Sequence, residues 1–161
     1  MQVNLKGQNV NLLGSTIKLG DTFPNFKAVN LDLSDFELYQ APKAKKLIFS
    51  IPSIDTGVCE IESGKFMNYF SNKNYLVYAI SKDLPFAFNR WCVANQNQAI
   101  KPLSDYKYNE FGIKSGTLLE NVGLLTRAIF VLDEENKVIH VEYVKNVSDE
   151  PNYEDVYAFF K

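Results

Sequence analysis

The feature that most constrains the fold is a strand–loop–helix–strand succession between residues 46 and 80. Residues 46–51 read Lys-Leu-Ile-Phe-Ser-Ile, an apolar run typical of a strand buried on both faces, and Pro52 ends it. After a loop over 53–57, residues 58–70 have the periodicity of a helix, and residues 75–80 form a second apolar run. A strand, a crossover helix and a second strand indicate a right-handed βαβ unit with parallel strands.

The helix over 58–70 is expected to pack one face against the sheet. Apolar residues recur on one side of it, and charged residues stand between them. The expected buried residues are Ile61, Phe66, Tyr69 and Phe70, with Glu60, Glu62 and Lys65 between them.

The remaining elements complete an α/β pattern. Pro85 suits the first turn of a second helix. The predicted elements are a hairpin from 3–5 and 10–12, strands at 26–29 and 100–103, a helix over 84–94, a hairpin from 127–132 and 138–144, and a closing helix over 152–160. This order predicts one domain over residues 1–161, with a mixed sheet flanked by helices. A thioredoxin-like architecture is one of several α/β folds with this order.

Composition excludes several classes of function. The net charge of −2 predicts no basic surface for nucleic acid or anionic membranes. The longest purely apolar run, Ala128–Leu132, is too short to cross a bilayer. The N-terminus lacks the apolar segment of a signal peptide, which predicts a cytoplasmic location. His140 is the single histidine, and with two distant cysteines it makes an unconvincing zinc site.

The most informative segment runs from Pro52 to Cys59. It joins a buried strand to a helix, so Cys59 is expected in the first helical turn, where unpaired amides and the helix dipole favour a thiolate. Thr56 lies three residues earlier and can direct its hydroxyl into the same pocket. Pro52 offers no competing N–H and can shield the sulfur. A simpler interpretation makes Cys59 a buried apolar residue and Thr56 a helix cap, but the combined spacing favours chemistry.

The spacing Pro52-x-x-x-Thr56-x-x-Cys59 resembles the peroxiredoxin signature. The string Pro-Ser-Ile-Asp-Thr-Gly-Val-Cys is similar to the thiol peroxidase branch of that family. Two further stretches resemble the same branch, namely 81–92, which ends in Arg-Trp-Cys, and 125–133, which contains Arg127. The resemblance extends over nearly the whole chain and implies a thioredoxin-like fold with an N-terminal hairpin.

The resemblance also implies a role for individual residues. Cys59 would be the cysteine that attacks the hydroperoxide, Thr56 would orient the peroxide, Pro52 would shield the sulfur, and Arg127 would hold the thiolate. Cys92 would be the resolving cysteine that closes a disulfide with Cys59. The family further implies recycling by thioredoxin, a homodimer, and no metal, haem, flavin or nicotinamide.

Disulfide closure is predicted to require a conformational change. If the second helix begins near residue 84, Cys92 lies roughly 12 Å along it, and neighbouring helices stand about 8–10 Å apart. A disulfide needs Cα atoms within roughly 7 Å. We therefore expect local unwinding around one or both cysteines.

Three alternatives remain open from the sequence. The first is a thioredoxin-fold redox-binding or chaperone-like domain without peroxidase turnover. The second is a disulfide oxidoreductase, which is disfavoured because no Cys-x-x-Cys motif is present. The third is a one-cysteine peroxidase in which Cys92 is incidental.

Overall fold

The computed structural model describes all 161 residues and has a seven-stranded mixed sheet with helices on both faces. A separate two-stranded hairpin precedes the sheet. The strands are β1 Gln2–Leu5, β2 Gln8–Asn11, β3 Lys27–Val29, β4 Asp35–Glu37, β5 Lys46–Ser50, β6 Leu76–Ser81, β7 Lys101–Ser104, β8 Ala128–Leu132 and β9 Val138–Tyr143. The helices are α1 Gly57–Phe70, α2 Pro85–Asn95, α3 Glu110–Ser115 and α4 Tyr153–Tyr157.

The sheet has the strand order β4-β3-β7-β6-β5-β8-β9. The central strands β5, β6 and β7 run parallel, and β8 lies antiparallel against β5. This confirms the predicted α/β fold with a mixed sheet and an N-terminal hairpin. The hairpin turns over two residues, Lys6 and Gly7, which both have positive φ, as a type I′ turn requires.

Two apolar layers cover the sheet because alternate residues of each strand point to opposite faces. On β5, Phe49 packs with Phe66 of α1 and Trp91 of α2. The neighbouring Ile48 packs on the other face with Phe111 of α3. Both crossover helices therefore lie on the same face of the sheet, and they hold the turns that follow β5 and β6 at one end of it.

Helix α1 corrects one sequence prediction. Phe66 and Phe70 are buried as expected, but Ile61 is 52% exposed. Glu62, expected among the polar residues, is completely buried. The buried face of α1 is thus rotated towards Glu62 because a buried cation, described below, lies opposite that residue.

Other differences concern short elements. The sequence prediction missed β4 and α3, which have three and six residues, too few for a periodic signal. The closing helix α4 covers Tyr153–Tyr157, which is shorter than the predicted range of 152–160. None of the helices combines the length and the apolar character needed to cross a membrane.

Candidate active site

Cys59 lies in the first turn of α1, as the sequence predicts. Thr56 lies directly before the helix, where it is the N-cap and has extended backbone angles. The helix therefore begins two residues before Cys59. The Cys59 side chain is fully buried, and its sulfur is a free thiol. Pro52 is also buried, between the end of β5 and the loop. The sulfur therefore lies close to the unpaired amides of a helix N-terminus.

The loop before Cys59 is fixed by Asp83, which follows β6. One carboxylate oxygen accepts a hydrogen bond from the Ser53 hydroxyl at 2.7 Å. The other accepts from the Ile54 amide at 2.8 Å and from the Ser81 hydroxyl at 2.6 Å. One side chain thus joins the turns after two parallel strands. Sequence reasoning assigned Asp83 no role, because its partners in the loop before Cys59 lie about 30 residues away.

Arg127 supplies a positive charge beside the sulfur. It comes just before β8, and the register that pairs Ser50 with Ala128 brings it to the end of β5 where the Cys59 loop begins. Its Nη2 lies 3.5 Å from Cys59 Sγ, and its Nε donates to the Val147 carbonyl at 3.0 Å. Arg127 is only 2% exposed. Little water screens its charge, so its effect on the sulfur is strong.

Glu62 is the partner of Arg127 that the sequence prediction missed. Its carboxylate accepts a hydrogen bond from Arg127 Nη1, and it is fully buried. The sequence did contain a signal for Glu62. It follows Cys59 by three residues, and residues three apart on a helix share a face, so Glu62 could have been expected on the same side of α1 as the cysteine. Burial raises the pKa of Glu62 to about 7, although Arg127 opposes the shift. Burial acts to lower the pKa of Arg127. The neighbouring Glu62 and Cys59 have the larger combined effect and raise this pKa.

The raised pKa of Glu62 predicts a pH-dependent stability. Between pH 4.5 and about 7 the folded protein retains a proton that the unfolded chain releases, so stability falls as pH rises through this window. Between pH 5 and 8, we expect the free energy of unfolding of the wild type to fall by about 1–3 kcal/mol more than that of Glu62→Gln. Urea unfolding, followed by fluorescence of the single tryptophan, Trp91, measures this difference.

The matched control for that measurement is Glu60→Gln, the same change at an exposed position of α1. It is expected to follow the wild-type pH dependence. Parallel curves for wild type and Glu62→Gln would contradict an altered pKa at the buried carboxyl.

Thr56 is placed beside the site but on its exposed side. Its hydroxyl donates to the Ser53 carbonyl at 3.0 Å and makes no capping bond to the helix. Because its proton is committed to Ser53, the Thr56 oxygen is available as an acceptor. The predicted capping alternative is correct for the backbone position of Thr56 and wrong for its hydroxyl.

Cys92 lies near the C-terminal end of α2, is half-buried and is a free thiol. It packs against the same apolar cluster that contains Cys59. Burial raises the pKa of the Cys92 thiol, and a hydrogen bond from Asn97 opposes that shift. The two cysteine segments are joined by an exposed ion pair between Arg90 and Asp55.

The remaining polar candidates lie outside this cluster. His140 lies on β9 with its ring centroid 5.6 Å from that of Phe159, and its Nε2 has no hydrogen-bond partner. No three His, Cys, Asp or Glu side chains are arranged to hold a metal ion.

Comparisons with known proteins agree with this geometry. The Redoxin family matches residues 18–157. The thiol peroxidase of Clostridium acetobutylicum is 43% identical, over 97% of this chain and 95% of its own length. The thiol peroxidase of Oceanobacillus iheyensis is 43% identical, over 96% and 94%. The chain belongs to the thiol peroxidases of the redoxin family.

Solved structures place this thiol peroxidase family member among the peroxiredoxins. The crystal structure of a peroxiredoxin-like protein from Aquifex aeolicus has a TM-score of 0.91 at 37% identity, covering 98% of this chain and 94% of that one. The thiol peroxidase from Chromobacterium violaceum has a TM-score of 0.87, covering 99% and 94%; at 21% identity it speaks to the fold alone. The resemblance drawn from the sequence is confirmed, and the family is one of peroxidases that use a thiol.

Proposed function

We propose that this thiol peroxidase reduces hydrogen peroxide and organic hydroperoxides through a sulfenic acid on Cys59 and a disulfide between Cys59 and Cys92. The observation that carries the proposal is the contact between Arg127 and Cys59. A buried guanidinium lies 3.5 Å from a sulfur in the first turn of a helix. Both groups favour a thiolate at this position.

In the first step the Cys59 thiolate attacks the terminal oxygen of the hydroperoxide, and the O–O bond breaks. The sulfur keeps that oxygen and its hydrogen as a sulfenic acid, and the other oxygen leaves as hydroxide or alkoxide, which takes a proton from solvent to become water or an alcohol. Arg127 and the first amides of α1 stabilise the negative charge that moves along the S–O–O axis. The Thr56 hydroxyl oxygen accepts a hydrogen bond from the O–H of the bound hydroperoxide, and Pro52 keeps competing N–H groups away from the sulfur.

Access to the sulfur requires a small movement, because Cys59 has no exposed surface. Thr56 and Gly57 are exposed and lie three and two residues before the cysteine. We expect a displacement of this exposed turn to open the path for the hydroperoxide.

In the second step Cys92 attacks the sulfenic acid, and the two sulfurs join as hydroxide leaves and takes a proton to become water. Burial raises the pKa of the Cys92 thiol. Local unwinding of α2 then brings the Cys92 sulfur within reach of Cys59. An external dithiol of the thioredoxin type then reduces the disulfide. A cytoplasmic homodimer of single-domain subunits completes the proposal.

Mass spectrometry of the reduced protein after one equivalent of cumene hydroperoxide tests this cycle. Wild type is expected to lose two hydrogens and to yield a peptide pair linked through Cys59 and Cys92. Cys92→Ser is expected to gain one oxygen on Cys59, because the sulfenic acid forms but is not resolved. Cys59→Ser is the matched control and is expected to remain unmodified.

The same experiment separates the alternatives. Wild-type thiols that survive for minutes favour a redox-binding or chaperone-like domain. An oxygen retained on Cys59 in wild type, with Cys92 reduced, favours a one-cysteine peroxidase. A parallel sample receives a protein disulfide in place of peroxide; formation of the Cys59–Cys92 disulfide there, without reaction with peroxide, favours a disulfide oxidoreductase.

A further inference from the structure

The C-terminal end of α2 is capped by three consecutive amide residues that follow Cys92. Asn95 donates from its side chain to the Trp91 carbonyl at 2.9 Å. Gln96 adopts a left-handed conformation with φ 54°, and the next amide, that of Asn97, donates to the Cys92 carbonyl at 2.9 Å. This is a Schellman-type cap built without glycine. It holds the helical turn that contains Cys92.

The Asn97 side chain also contacts the sulfur of Cys92. Its Nδ2 lies 3.3 Å from Cys92 Sγ and 2.8 Å from the Ile100 carbonyl. Its Oδ1 accepts from the Ile100 amide at 3.0 Å. Both hydrogens of Nδ2 and the oxygen are therefore engaged. The two bonds to Ile100 orient the carboxamide so that its remaining N–H points to the sulfur.

We propose that Asn97 is a positioning residue for the resolving step, because its carboxamide directs an N–H to Cys92 and stabilises the thiolate in the folded helix, before α2 unwinds and the sulfur attacks the sulfenic acid. The proposal rests on the proposed function of Cys92. A hydrogen bond to a charged acceptor is stronger than one to its neutral form. The contact therefore favours the thiolate over the thiol.

The other groups around Cys92 provide little competing charge. Cys92 lines a surface cavity of about 430 Å³, whose lining includes one acid and one base, Asp32 and Lys101. The Asp32 carboxylate already accepts from the Ser34 amide and hydroxyl. A second cavity lies between the ends of α1 and α2, and its lining contains no titratable group. Asn97 is the polar side chain that touches the sulfur directly.

The first test measures the thiolate without any peroxide chemistry. In a Cys59→Ser background, the rate of Cys92 alkylation by iodoacetamide is followed against pH. Asn97→Ala is expected to raise the pH at which the alkylation rate is half its maximum, the midpoint, by about one pH unit. Asn97→Asp keeps the acceptor for Ile100 but places a carboxylate at the sulfur, and it is expected to raise the midpoint further. Gln98→Ala, at the exposed next position, is the control.

The readout separates positioning from general loosening of the helix. A structural role alone would loosen the helix and expose Cys92, which relieves the effect of burial and lowers the midpoint, whereas loss of the Asn97 hydrogen bond raises it. An unchanged midpoint in both Asn97 variants would overturn the proposal. Trp91 fluorescence, from the residue next to Cys92, verifies that each variant keeps the folded end of α2.

The second test follows disulfide closure after peroxide in the protein with both cysteines. The midpoint of the closure rate against pH is expected to rise in the Asn97 variants as it does for alkylation. Closure that occurs in wild type with no shift in the variants would overturn the role of Asn97 alone. Absence of closure in wild type would instead overturn the proposed function, and the resolving role of Cys92 with it.

Discussion

Replacement of Arg127 by leucine is expected to lower the rate constant for oxidation of Cys59 by hydrogen peroxide by about 10²–10³-fold. The guanidinium is 2% exposed and contacts the sulfur. Its loss removes the buried charge that stabilises both the thiolate and the oxygen that leaves. Stopped-flow measurement of a single turnover, with Trp91 fluorescence as the signal, gives the rate constant directly.

The Arg127 variant needs controls because it leaves Glu62 buried without a counter-charge, which is destabilising. The double variant Glu62→Gln/Arg127→Leu carries neither charge of the buried ion pair. It is expected to fold and to remain as slow as the single variant. Arg90→Leu removes the same charge from an exposed position and is expected to react with peroxide at nearly the wild-type rate. Recovery of wild-type speed in the double variant would assign the defect to folding instead of catalysis.

Asp83→Ala is expected to lower the free energy of unfolding by about 2–4 kcal/mol and to slow the reaction with peroxide. The substitution leaves the Ile54 amide and the hydroxyls of Ser53 and Ser81 without their acceptor. Two of these donors belong to the loop before Cys59, so the loop loses its attachment to β6. Urea unfolding and single-turnover kinetics report the two effects separately.

Asp32→Ala is the matched control for Asp83. The Asp32 carboxylate also accepts from an amide and a hydroxyl close in sequence, but Asp32 is exposed to solvent. Water replaces the lost acceptor there, so the change is expected to leave stability and activity nearly unaltered. Equal losses in the two variants would contradict the special role of the bridge between the two turns.

The local elements around the two cysteines were predictable because their signals lie within a few residues of sequence. The apolar run over 46–51, the stop at Pro52 and the periodicity after it predicted a strand, a loop and a helix that begins just before Cys59. Pro85 correctly predicted the first turn of α2. In each case the pattern depends on neighbours one to four residues apart, and the same residues decide the backbone conformation.

The α3 helix was not predictable, because tertiary contacts maintain it. It has six residues and contains Gly112, which is a poor helix former. Its amides at Phe111 and Gly112 bond to the Asp105 carboxylate at 3.1 and 3.0 Å. A Cβ at Gly112 would lie 2.9 Å from the side chain of Leu125. Glycine is therefore suited to close packing here at the cost of helix propensity.

The chemical identity of the site was determined largely by the local sequence, whereas its electrostatic environment was decided by strand pairing. Residues 52–59 alone indicated a cysteine at a helix start, and the family resemblance named Arg127 as its partner. The contact between them spans 68 residues and exists because Ser50 pairs with Ala128. The complete burial of Glu62 follows from the same pairing, since a carboxylate enters a core where a buried cation or hydrogen-bond donors face it, and Arg127 is the donor here. Periodicity cannot report such a partner, because it records neighbours along the chain and not those across the sheet.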